Sequence, residues 1–450
     1  MRVQPAGAFP SRDPGRFPRW TQGEHDEYDS WLDEYMVEAE NSSQTLHPAV
    51  KELQDCICSS TRLTQLAQGM YDELAFRPLP PSKKVPFHVN IADYQHMLRS
   101  LNYFLTVPIL WNSYRYLIGW TSCPILSIFW RPLHTTCGFA FFQDPEVNMI
   151  MKKILDKWGE YLRSTESAWC LDDGPRCWFS PEALTHLLSE ANAGNDLRIQ
   201  SFEEIYICDP SKPRYGFTSW DNFFTRRFRE GVRPLAYSDD NSVIVHACES
   251  TPRRIQRNVQ ESDKFWTKGT PYSLTDMLDH DSLSSHFRSG TVYQAYLSAL
   301  SYHRWHAPVS GRVIRATLIQ GFYFSEPPYD GFNPEYNPNG EEKLTWDNAY
   351  QTAVATRALI FIEADNSDIG LMAALFVGMT EVSTCEIAVK DGDRVRKGDE
   401  IGSFHCGGST YCLIFRQGVD FFDLPDPARA KHIHPVRGFL ARVKKTGEVQ

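Results

Sequence analysis

Late in the chain the sequence reads Phe404-His405-Cys406-Gly407-Gly408-Ser409-Thr410, with a turn and short strand, Lys397–Gly402, before it and an apolar run, Tyr411–Phe415, after it. Two glycines and a serine between two strands predict a tight hairpin turn, because glycine takes a positive φ without steric cost. The same residues can also do chemistry. A serine hydroxyl next to a glycine carbonyl can attack its own backbone, since glycine leaves the carbonyl open and lets the peptide take up strained geometry. Attack converts the Gly408–Ser409 amide into an ester. Elimination breaks the ester and leaves dehydroalanine, which hydrolyses to a pyruvoyl group at the new N-terminus. That ketone can condense with an amine and accept its electrons. The sequence must then supply a base for the Ser409 hydroxyl and a group that orients the base.

Two other stretches offer them. Tyr302-His303-Arg304-Trp305-His306-Ala307-Pro308 places two histidines, an arginine and a tryptophan within seven residues. A His-x-x-His pair can bind metal, but no Asp/Cys cluster of metal spacing lies nearby, so no metal is expected and the pair reads as acid–base machinery. Val245-His246-Ala247-Cys248-Glu249-Ser250 is a strand that ends in a carboxylate, and such a carboxylate can orient an imidazole by accepting its N–H.

The elements that position these residues divide the chain. Residues 1–40 read as a flexible segment: Pro/Gly/Arg-rich to residue 24, then an acidic, solvated helix from His25 to Glu40. Residues 41–204 read as mainly helical. One helix is expected over 47–75. Asp144-Pro145 and Ser180-Pro181 each pair an N-cap with proline at the first helical position. After the first, Val147, Ile150, Met151, Ile154, Leu155, Trp158 and Leu162 recur at helical spacing; after the second, Leu184, Leu187 and Leu188 face inward. Thr218–Asp221 caps a short helix carrying Phe223, Phe224 and Phe228. From 205 to 450 the texture is β: Val243–Val245, Arg312–Leu318, Ala358–Glu363, Leu371–Val377 and Cys385–Val389 are short strands at a spacing that predicts an antiparallel, barrel-like or sandwich domain. The fold class is therefore α+β. Residues 325–347, rich in Pro, Gly, Asn and Glu, predict a long loop.

Composition sets the bounds. The 450 residues suffice for two or three domains, and a net charge of −10 without a basic surface argues against a nucleic-acid partner. The eleven cysteines are scattered, with no Cys-x-x-Cys, which points to reduced thiols and a cytoplasmic setting. The N-terminus lacks an apolar signal core. Its arginines are interrupted by proline and Asp13, which leaves a mitochondrial leader as the alternative. The most apolar stretch, 101–130, is split by Arg115 and by several Asn, Pro and Gly residues, so it reads as buried core rather than a membrane span. Peripheral membrane contact is not the favoured reading. Oligomeric state is not written in the sequence.

Two resemblances follow. Ala307–Val313 and Val395–Gly402 look like the halves of a biotinyl or lipoyl carrier domain, a non-catalytic alternative; the lysine-bearing hairpin tip of such a carrier is missing. The broader resemblance is to the phosphatidylserine decarboxylase family of pyruvoyl enzymes. It is carried in order by Phe223-Phe224-Thr225-Arg226 with Val232-Arg233-Pro234, Val245–Glu249, Lys268-Gly269 with Tyr272-Ser273-Leu274, Tyr296-Leu297-Ser298 leading to Tyr302–His306, Val377-Gly378-Met379, and Lys397–Gly402 through Gly408-Ser409-Thr410. Within that family the chain is similar to the fungal L-tryptophan decarboxylases of psilocybin type. The similarity lies in the helical N-terminal region, in His303-Arg304-Trp305-His306, in Gly378-Met379-Thr380-Glu381 and in Phe404-His405 with Gly407-Gly408-Ser409.

The resemblance implies a self-processing, pyridoxal-independent decarboxylase. Ser409 resembles the serine that becomes the pyruvoyl group and His306 the histidine that activates it. Glu249 stands where the family has aspartate, one methylene shorter. His303 resembles the histidine near the substrate carboxylate or the protonated intermediate, where it or a water it holds would return the proton to the α-carbon, and Gly378 and Met379 resemble the substrate-binding segment. Gly408 would end a β chain, and residues 409–450 would form a small α chain. The implied substrate is an aromatic L-amino acid, with phosphatidylserine as the alternative and phospholipid biosynthesis as its setting.

Overall fold

The computed structural model describes residues 33–42, 45–76, 91, 93–111, 124–193, 198–262, 272–325, 348–378, 381, 384–406, 409–427, 429 and 432–444. Helix starts follow the capping signals. Asp144 Oδ1 accepts the Glu146 and Val147 N–H groups at the head of Pro145–Arg163, and the periodic face from Val147 to Leu162 is buried. Ser180 Oγ accepts the Ala183 N–H at the head of Pro181–Asn192; Leu187 is fully buried, whereas Leu184 and Leu188 are only half-buried. Ser219 caps Trp220–Phe224 through the Asn222 N–H.

Two helical expectations are revised. The helix expected over 47–75 is two, Pro48–Ser59 and Thr61–Phe76, because the Ser60 hydroxyl caps the second by accepting the Leu63 N–H. Residues 33–41 are helical but not solvated all round: Tyr35, Met36 and Ala39 are buried, and Tyr35 packs on Phe104 with ring centroids 5.5 Å apart. The rest of that expected helix, and the loop expected at 326–347, lie outside the described residues. The apolar stretch is core. Leu101 and Phe104 close the helix Tyr94–Phe104, Val107 through Trp111 supplies four buried apolar side chains, and Pro124–Leu133 starts another helix. No described helix is long and apolar enough to cross a membrane.

The strands are β1 (Val243–Val245), β2 (Thr251–Arg257), β3 (Thr291–Leu297), β4 (Arg304–His306), β5 (Gly311–Ile319), β6 (Arg357–Ala364), β7 (Leu371–Gly378), β8 (Thr384–Ile387), β9 (Arg394–Val395), β10 (Glu400–His405), β11 (Ser409–Phe415), β12 (Phe421–Phe422) and β13 (Phe439–Val443). They form three antiparallel sheets, β2-β3-β11-β7-β6-β5-β9, β4-β10-β8 and β1-β13-β12. The order of each is open at both ends, so the β region is α+β as expected but contains no closed barrel.

Residues alternate across the large sheet. Tyr411, Leu413 and Phe415 of β11 point into the core shared with the helices, and Cys412 and Ile414 into a second core on the opposite face. The small β4-β10-β8 sheet packs on the first face, where Trp305 lies flat on Phe376 at 4.1 Å. The predicted hairpin is also revised. β10 and β11 are not paired with each other; the chain leaves the small sheet at β10 and enters the centre of the large one at β11.

Candidate active site

Ser409 is the first residue of β11 and is flanked on both sides, with Leu297 of β3 and Gly378 of β7 as its register partners. It is fully buried, and its Oγ has no hydrogen-bond partner among the described residues. A buried hydroxyl usually finds a partner, because leaving it unpaired costs of order 1–3 kcal/mol. By strand parity Ser409 shares the Tyr411 face, which is the face covered by the sheet that carries His306. Gly407, Gly408 and Met379 lie outside the described residues.

His306 closes β4. Its Nδ1 meets the Gly398 carbonyl at 2.8 Å and its Nε2 meets the Tyr302 hydroxyl at 3.2 Å. A carbonyl only accepts, so Nδ1 carries the hydrogen and Nε2 keeps a lone pair. Burial pushes the imidazole below its ordinary value, which favours the neutral, basic form. His303 sits at the other end of the β4–β10 pairing: its carbonyl accepts the Phe404 N–H, whereas His306 pairs with Glu400. Its ring is fully buried and stacked on Phe224 at 3.9 Å, and neither ring nitrogen makes a hydrogen bond of good geometry. Burial, and then the Arg226 charge, push it well below the ordinary histidine value.

Glu249 lies at the Ser409 edge of the large sheet, since Thr251 and Thr410 share Tyr296 as a partner. Its carboxylate is spent elsewhere, however. Both oxygens bond the buried Arg233 guanidinium, and Oε2 also accepts the Val436 N–H. The main chains do come together, as the His306 N–H bonds the Ala247 carbonyl. No hydrogen bond joins Glu249 to His306, and none joins either histidine to Ser409 Oγ. A bidentate guanidinium is the stronger partner for a carboxylate than an imidazole N–H.

The structure adds residues that sequence spacing did not single out. His405, the last residue of β10, meets Asp221 through Nδ1 and Glu386 through Nε2, each at 2.8 Å. Asp221 belongs to the short helix Trp220–Phe224, so the strand end before the Gly-Gly-Ser segment is tied to the helical half. Its closeness to that segment in sequence was the available signal. Arg226, also buried, bonds the Leu300 and Ser301 carbonyls in the loop leading to His303 and lies over the Tyr206 and Phe223 rings. Glu190, from Pro181–Asn192, bonds the Ser301 hydroxyl at 3.0 Å, and burial pushes its carboxyl up to about 7. Among the described residues no group of three or more His, Cys, Asp or Glu side chains is placed to hold a metal.

A family model described as phosphatidylserine decarboxylase matches residues 220–431, and a second of the same description matches residues 47–187. A decarboxylase of Amanita muscaria, iboD, is 42% identical over 329 residues, covering 72% of this chain and 91% of that protein. The chain belongs to the phosphatidylserine decarboxylase family. It is a decarboxylase, and the carrier-domain alternative falls. An L-tryptophan decarboxylase of Psilocybe cyanescens is 36% identical over 338 residues, 73% of this decarboxylase and 76% of its relative. A phosphatidylserine decarboxylase proenzyme of Schizosaccharomyces pombe is 25% identical over 222 residues, 49% of this chain and 21% of that one.

Proposed function

We propose that this decarboxylase cuts itself between Gly408 and Ser409, keeps a pyruvoyl group at residue 409, and converts an aromatic L-amino acid to its amine. The observation that carries the reading is the buried, partnerless Ser409 hydroxyl at the head of a central strand, directly after two glycines. The site suits the group: residue 409 is shielded from water, and its side chain has no hydrogen bond among the described residues that conversion would break. The pyruvoyl ketone supplies an electrophile for a primary amine and a sink for the electron pair released with CO₂.

The protein's own residues do the rest. His306 Nε2, whose lone pair accepts the Tyr302 hydroxyl at rest, takes the Ser409 hydroxyl proton once that bond is released, and the Gly398 carbonyl holds the ring's tautomer. Glu249 reaches this relay only by loosening its hold on Arg233, and at rest it fixes the strand end. His303, kept neutral by burial, offers a hydrogen bond beside the reacting carbon. Gly378, opposite Ser409, gives the substrate backbone room, with Met379 next to it in sequence. Residues 41–204 act as a helical domain and 205–450 as a catalytic domain split into β and α chains.

The aromatic substrate is supported by reach. The similarity to the L-tryptophan decarboxylase extends over 73% of the chain, whereas that to the S. pombe phosphatidylserine enzyme stops at 49%. The test has two arms. Denaturing mass measurement of the purified protein is expected to give two chains divided at 408/409, and Ser409→Ala a single inactive one. CO₂ release is then compared on tryptophan, tyrosine, phenylalanine and phosphatidylserine vesicles; activity on vesicles alone moves the substrate to lipid.

A further inference from the structure

Glu381 is a buried acid that the steps above leave unused. Its position follows from two registers. Gly378 is opposite Ser409, and Thr384 is opposite His405. The chain therefore passes from the large sheet to the small one, β7 to β8, at the same place where it passes back from β10 to β11. Glu381 is the middle residue of the first crossing, beside the crossing that ends at Ser409. Cys406, three residues before Ser409, feels the Glu381 charge, which puts the two within electrostatic reach.

The carboxyl is held at one oxygen only. Oε2 accepts the Leu126 N–H at 2.6 Å, in the first turn of Pro124–Leu133, and the Ile125 N–H also faces the carboxyl. Oε1 is buried and has no partner among the described residues, although Glu381 is only 2% exposed. No cation among the described residues acts on it. Burial pushes it well above the ordinary glutamate value, and the two N–H groups hold it back only in part. Burial thus favours its protonated form, and no hydrogen bond among the described residues ties down Oε1. His303, by contrast, is pushed toward the neutral form and is a poor standing acid.

We propose that Glu381 is the acid that delivers a proton from Oε1 to the substrate α-carbon. This rests on the decarboxylase reading above. When CO₂ departs, the electron pair of the broken C–C bond is shared between the substrate α-carbon and the electron sink, and it returns to that carbon to bind the proton. The Oε1–H bond breaks and its proton forms the new C–H bond. The carboxylate left behind is received by the Leu126 and Ile125 N–H groups, at a helix end that favours an anion. Water restores one proton per turnover, which matches the single proton that amino-acid decarboxylation consumes.

Glu381→Gln keeps the shape and removes the acid, and three readouts test it. The wild-type infrared spectrum at neutral pH should contain a carbonyl stretch of a protonated carboxylic acid that is absent in the variant, beside the band that Glu190 gives to both proteins. The variant should still divide at 408/409 by denaturing mass. Its turnover should fall at least ~100-fold, the size of a lost general acid. In D₂O the wild type should give α-deuterated amine of one configuration and the variant both, which a merely structural role would not produce. If the glutamine variant does not divide, Glu381→Asp takes its place; it keeps the acid and should retain one configuration. Absence of the band that distinguishes the wild type, or a Glu381→Gln enzyme of undiminished rate and single configuration, overturns the assignment. A wild-type chain that stays in one piece overturns the proposed function itself, and this assignment with it.

Discussion

At the level of single residues, the hold of Glu249 on Arg233 can be separated from its proposed role toward His306. Its pair with Arg233 is almost fully buried on both sides. Removing one partner of such a pair leaves an uncompensated charge, whereas replacing both by apolar groups is often neutral. Glu249→Ala is thus expected to lose about 3–5 kcal/mol in urea unfolding. The double variant Arg233→Met/Glu249→Leu should recover most of that stability. If Glu249 also orients His306, the double variant will be stable yet slow to divide, and the two roles part in one experiment. His306 adds a pH test. The cleavage base must be unprotonated, and burial lowers its folded value below the ordinary 6.5. The dividing rate of refolded precursor should therefore stay level as pH falls through about 6.5 and drop only on the more acidic side. A midpoint at or above 6.5 would count against His306 as the base.

At the level of elements, capping chemistry and periodicity made the helices legible, since Asp144, Ser180 and Ser219 each state a start within three residues. The strands β1, β5, β6, β7, β8, β10 and β11 were legible from apolar runs and turns, whereas β2, β3, β4, β9, β12 and β13 were not. Pairing was not. Gly407-Gly408-Ser409 is flanked by two strands and so reads locally as a hairpin, yet β10 and β11 go to different sheets. That outcome is decided by Trp305, Phe376 and Phe404, contacts far apart in sequence. The histidines and Ser409 stood out in the sequence as candidates, but the Arg233 that claims Glu249 and the carboxylates that hold His405 come from distant segments. β10 is pinned by close approach. A Cβ on Gly402 would fall inside contact distance of the Glu386 carbonyl and the Trp305 ring. Gly402→Ala should push β10 off its neighbours, costing about 1–3 kcal/mol. It should also slow the division at 408/409, because the strand that delivers the Gly-Gly-Ser segment shifts. A variant with lowered thermal stability but an unchanged division time course would show that the segment does not depend on β10.

At the level of the whole molecule, a cut between Gly408 and Ser409 falls at the head of a central strand, not in a peripheral tail. The fragment from 409 onward contributes β11, which is paired through seven residues to β3 and through seven to β7. It also contributes β13, paired to β1 and β12. Every residue of β11 is buried. Tyr411, Leu413, Ile414 and Phe415 alone, at about 1.5–3 kcal/mol for each fully buried large apolar side chain, oppose release by roughly 6–12 kcal/mol before either ladder is counted. One broken peptide bond offsets little of this, because the new ends gain freedom only over the few residues beside the cut. The divided protein should therefore run as one particle of full mass in light scattering and as two chains only under denaturing conditions. Urea should separate the chains in the same transition that unfolds the sheet. Spontaneous loss of the small chain in native buffer would mean that β11 is not held at the centre of the sheet in the mature enzyme.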